Sequence, residues 1–125
     1  MEEVKFLKIP LTPYPVTLIV AIGENAHGAE NYVEDSLGQG IKIGDTSCGG
    51  WVNKHRLITK DHGSRAILMW LSENCGYATI AHEAYHVVRG VYEIIHSDGK
   101  EEEPFAYMIG YIVNEIVKNI SSVNK

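Results

Sequence analysis

Cysteine is scarce in this chain: Cys48 and Cys75 are the only two among 125 residues. That is too few for a disulfide framework, and their separation is not that of a zinc ribbon, so two reduced thiols are expected. Basic runs are missing as well. The 11 Lys and Arg are scattered among 16 Asp and Glu, giving a net charge of −5. Such a balance argues against a nucleic-acid groove or an anionic membrane surface as partner. No apolar run approaches the length of a bilayer span; the longest, Val16 to Ile22, is broken by Thr17. The opening MEEVKFLKIP is acidic and mixed and does not read as a signal peptide, which points to a cytoplasmic protein. Repeats, low-complexity tracts and linkers are absent too, so residues 1–125 read as one domain. What is present is globular in character, with 45% hydrophobic and 22% charged residues.

Along the chain, Pro10, Pro13 and Pro15 hold the opening segment extended. Val16–Ile22 is β-branched and almost wholly apolar, the pattern of a strand buried on both faces and ended by Gly23. Residues 25–37 suggest a short polar helix, weakened by Gly28, with Asn25 as N-cap and Gly38 as stop. A glycine-rich stretch comes next, up to Gly50, in which Gly49 and Gly50 suggest a turn or bulge. Residues 50–55 and Arg65–Leu71, joined by turn chemistry at residues 60–64, fit an antiparallel hairpin. The rest is helical. Ile80, Ala84, Val87, Val88, Val91 and Ile95 recur at helical spacing over residues 76–95. Residues 97–100 break that helix. A second one is expected over 104–120, with Phe105, Met108, Ile109, Ile112, Val113, Ile116, Val117 and Ile120 on a broad apolar face. Acidic residues 101–103 precede it, and Pro104 suits its first turn. The order predicts an α+β layer: a small antiparallel or mixed sheet packed on two or three helices.

The chemistry concentrates in His82-Glu-Ala-Tyr-His86. Histidines four apart on a helix project from one face, one turn apart, close enough to hold a single metal ion. Neutral imidazole is a good zinc donor. Glu83 points about a quarter turn away from His82, outside direct ligation but within reach of a water activated by the metal. Burying these three polar groups in an otherwise apolar helix with no partner would be costly. A catalytic zinc takes three protein ligands and leaves one position open. His96, Asp98, Glu101, Glu102 and Glu103 can supply the third, since the second helix folds back beside the first. Glu103 is favoured because Pro104 fixes its backbone and an apolar face anchors the remainder of that helix, with Glu102 close behind.

His82-Glu-Ala-Tyr-His86, sixteen intervening residues, and Glu103-Pro-Phe-Ala106-Tyr107 resemble the small zincin-like metallopeptidases of phages and prophages. They are also similar to the metallopeptidase domain of the phage-immunity repressor proteases. In that family a helix with HExxH precedes a helix opening with Glu-x-x-Ala. The resemblance covers mainly residues 65–112. It implies a zincin-like fold with HExxH on the central helix, one Zn²⁺ on His82, His86 and Glu103, and Glu83 as general base. A peptide or protein substrate would lie along an antiparallel edge strand beside the metal helix, where Arg65–Leu71 stands. Tyr107 occupies a position where the family usually carries Asn.

For an oxyanion donor the sequence offers Tyr107, Tyr85, His62 and His96, each more often structural. Trp51 and Trp70 are expected to pack the sheet. No phosphate-binding loop occurs between Gly38 and Gly50, and Cys48 lacks the setting of a nucleophile. The expectation is a zinc-dependent hydrolase of the peptidase type. A catalytically silent, metal-stabilised binding protein of the phage host-interaction kind is the alternative, and hydrolysis of a non-peptide bond a third.

Overall fold

The computed structural model describes residues 5–12, 14–23, 30–31, 50–52, 57–58, 65–95 and 102–123. Within them the chain forms β1 (Lys5–Pro10), β2 (Val16–Ile22), β3 (Gly50–Val52), β4 (Leu57–Ile58), β5 (Arg65–Leu71), α1 (Tyr77–Ile94) and α2 (Glu102–Val123). This is an α+β arrangement: one mixed sheet and two long helices. Glu30 and Asn31 are helical, inside the expected 25–37 helix, the rest of which lies outside the described residues. So do Gly38–Gly49 and the turn at 60–64.

The apolar run Val16–Ile22 forms a strand buried almost throughout, and it takes partners on both sides. β1 pairs with it antiparallel from Lys5↔Ile22 to Pro10↔Thr17. β5 pairs with it parallel, with Leu18 opposite Ile67 and Val20 opposite Met69. Gly23 N–H extends that ladder to the Leu71 carbonyl at 3.1 Å. A tight turn after Pro10, in which Tyr14 N–H reaches the Leu11 carbonyl at 3.0 Å, folds β1 back onto β2. Pro10 is tolerated at the end of β1 because an edge strand can spare a donor.

Arg65–Leu71 is an interior strand, not the edge. Its outer flank is taken by β3 (Trp51↔Trp70) and then β4 (Leu57↔Ala66), both antiparallel. Its composition agrees: six consecutive buried residues leave no polar face for water, the pattern of a strand covered on both faces of a sheet. The edge beside it therefore belongs to β3 and β4. Gly50 sits within that edge, paired with Leu71, and is not a turn residue. From Val52↔Met69 to Leu57↔Ala66 the antiparallel register against β5 shifts by two.

One face of the sheet carries Leu18, Val20, Ile22, Ile67, Met69 and Leu71 into a core shared with both helices. α1 contributes Ile80, Ala84, Val87, Val88 and Val91, and α2 contributes Met108, Ile112 and Ile116. Trp70, on the opposite face with Ile19 and Leu68, is equally buried and packs the sheet as expected. α1 lies against β3, β5 and α2. Gly76, five residues after β5, is its extended N-cap, and the helix ends where Ile95 N–H meets the Val91 carbonyl at 3.0 Å. α2 begins two residues before Pro104. That is allowed because the first four N–H groups of a helix have no intrahelical acceptor, and Glu102 and Glu103 complement its positive end. Among the described residues no helix is long and apolar enough to cross a membrane.

Candidate metal centre

The apolar stripe of α1 dictates where its polar residues point. Ile80, Ala84, Val87, Val88 and Val91 face the core, and Glu83 falls inside that stripe. His82, one residue earlier, is carried out of it, and His86 returns to its margin a turn later. The two imidazoles consequently stand together at the rim, with the carboxylate tucked beneath. Their Nε2 atoms are 3.3 Å apart, with ring centroids at 4.9 Å and planes inclined by 71°. Two nitrogens on neighbouring corners of a zinc tetrahedron, bonded at 2.0–2.1 Å, stand about 3.3 Å apart. The two nitrogens, in hydrogen-bond contact with each other, have the separation that two donors to one tetrahedral ion would have.

Glu83 is 6% exposed, and among the described residues it is the one buried polar or charged side chain. Its Oε2 lies 4.0 Å from His82 Nε2. The carboxylate is thus beside the imidazole pair without occupying its place, as a base acting on bound water requires. His82, with a side chain 67% exposed, leaves the outer side of the pair open to solvent.

α2 meets this region through aromatic contacts. Tyr85 sits edge-on to His86, ring centroids 5.6 Å apart, and touches Phe105 at 5.6 Å. Phe105 also packs on Tyr92 at 5.3 Å, so its ring fastens the opening of α2 across two turns of α1. Glu102 and Glu103 stand exposed in that opening turn. Glu103 lines an open groove of about 640 Å³ along α2 with Ala106, Tyr107, Gly110, Tyr111 and Asn114. Among the described residues, no three His, Cys, Asp or Glu side chains converge on one metal position. The structure therefore assembles His82, Glu83 and His86, and leaves Glu103 on the neighbouring helix.

Of the other candidates, His62, His96, Asp98 and Glu101 lie outside the described residues. Tyr107 is 76% exposed and Tyr85 48%, the latter held by its two ring neighbours. A hollow of about 240 Å³ beside His86 is lined by Tyr85, Arg89, Gly90 and Glu93. Sequence reasoning overlooked the closeness of Gly50 to Glu83. A glycine at the head of the strand pattern 50–55 is the signal that could have found it, since glycine in a strand can mark a close approach of backbone. No protein-family model, no curated protein and no solved structure matches the chain.

Proposed function

We propose that the chain is a zinc-dependent hydrolase of the metallopeptidase type, zincin-like in fold, acting on a peptide or protein in the cytoplasm. The observation that carries this reading is the 3.3 Å separation of the two Nε2 atoms with a buried carboxylate at their side. His82 and His86 hold the ion. Glu103 is the proposed third ligand, on a helix whose opening turn Phe105 docks against Tyr85, the neighbour of His86. When bound, zinc supplies Lewis acidity and lowers the pKa of water towards ~7. Glu83 Oε2 takes the proton of the attacking water and returns it to the leaving amine, so one carboxylate serves as base and then as acid. Burial helps by keeping bulk water from competing for that oxygen.

Zinc content of purified wild type and His86→Ala tests the site. The expected result is one ion per chain in the first and none in the second; equal zinc in both removes the reading. The two-donor character of the site among the described residues favours a second reading, a metal-stabilised binding protein with no turnover. Glu83→Gln separates the two. It should keep zinc and fold in either case; cleavage of a peptide library by wild type and not by Glu83→Gln supports hydrolysis, and cleavage by neither supports the binding reading.

A further inference from the structure

Position 50 carries no side chain where the edge strand crosses the metal helix. A β-carbon there would stand 2.8 Å from Glu83 Cγ, 3.0 Å from Thr79 Cγ2 and 3.2 Å from Glu83 Oε2. Real β-carbons do not approach carbon so closely, so a side chain at 50 and the present course of Glu83 are incompatible. The reason is space and not backbone conformation: Gly50 lies in a regular ladder opposite Leu71. β3 passes over α1 at the turn that holds Thr79 and Glu83, and its bare backbone forms one wall of the slot in which the carboxylate lies. The other limit is His82 Nε2, 4.0 Å from Oε2.

We infer that Gly50 is a positioning residue for Glu83: its missing side chain fixes the carboxylate beside the imidazole pair. This rests on the metal-site reading above. With alanine at 50, Cγ of Glu83 must swing off β3, and its oxygens leave the place from which they serve a group bound at the pair. Neither histidine is among the nearest neighbours of a β-carbon at 50, so the imidazole pair keeps its geometry.

Cobalt(II) and acetohydroxamate provide the test, and neither requires a known substrate. Cobalt replaces zinc and gives a visible spectrum. Acetohydroxamate chelates the metal and donates a hydrogen bond to the neighbouring carboxylate. A hydrogen bond to a charged group contributes roughly 1.5–3 kcal/mol, so its loss weakens hydroxamate binding roughly 10–100-fold. Gly50→Ala should therefore take up cobalt like wild type yet bind acetohydroxamate at least roughly tenfold more weakly, close to Glu83→Gln. Wild-type hydroxamate affinity in cobalt-loaded Gly50→Ala overturns the role of Gly50 and leaves the metal site standing. Failure of wild type to take up cobalt removes the metal site, and this inference with it. Should Gly50→Ala not fold, Gly50→Ala/Thr79→Ser clears the contact at Cγ2 and leaves Glu83 alone to yield; the same two outcomes then decide.

Discussion

Replacing Glu103 by alanine asks the sharpest question a single residue can put to this site. Glu103 is exposed in the opening turn of α2, so its removal has little effect on folding. If it ligates the ion, zinc affinity falls by more than the roughly 10–100-fold typical of outer partners of metal ligands. Competition with a chelating dye measures this, and unchanged affinity shifts the third donor elsewhere. Cys75 offers a second residue-level prediction. It is a free, half-buried thiol whose pKa burial pushes above the ordinary value, against a smaller opposing effect from a backbone hydrogen bond. Less thiolate at neutral pH means slower attack on disulfide reagents. In Ellman's assay near neutral pH Cys75 should react more slowly in the folded protein than after unfolding in urea; equal rates would contradict the burial.

Between elements, the contact of α1 with α2 at Phe105 joins stability to the site. Phe→Ala in a full core costs about 3–5 kcal/mol, and Phe105 is only half-buried, so Phe105→Ala should cost about 2 kcal/mol and lower Tm by several degrees. Ile112→Ala, in a fully buried position of the same helix, should cost more while leaving the Tyr85 contact intact. Comparing zinc affinity in the two variants shows whether docking of the opening turn matters to the metal; equal effects would say it does not. Elements were also the scale at which the sequence was easiest to read. Ile80, Ala84, Val87, Val88 and Val91 repeat at helical spacing, and the run Val16–Ile22 is uniformly apolar apart from Thr17, so both elements lie where periodicity puts them. β1 was hidden because Lys5, Lys8 and Pro10 dilute its pattern, and only pairing with β2 makes it a strand. The pair His82 and His86 was legible because one helix fixes their distance. The placement of Gly50 over Glu83 was not, because it depends on how a strand crosses a helix thirty-three positions away.

For the molecule as a whole, the sheet is held by its two inner strands. Leu18, Val20, Leu68, Met69 and Leu71 are all but inaccessible to solvent. Amide exchange should accordingly be slowest in β2 and β5 and faster in β1, which among the described residues pairs with β2 alone. Leu68→Ala should destabilise by about 2–5 kcal/mol, read from urea unfolding. Zinc would add to the stability of the folded state only: free ion at about 1,000 times Kd contributes about 4.1 kcal/mol, so a chelator should lower Tm reversibly. A Tm indifferent to chelator and to added zinc would count against the metal.

The parallel union of β2 with β5 spans residues 23–64, so strands distant along the chain must meet before the sheet exists. Every proposed ligand and the base lie beyond Arg65, which invites trimming the protein to the segment from Arg65 onward as a compact mimic. Such a peptide would begin with a strand of six consecutive apolar residues after Arg65, stripped of its partners on both flanks, two rows of amides and carbonyls ready to recruit other copies. It should precipitate on expression, while adding a peptide of residues 1–23 in trans should return part of it to solution.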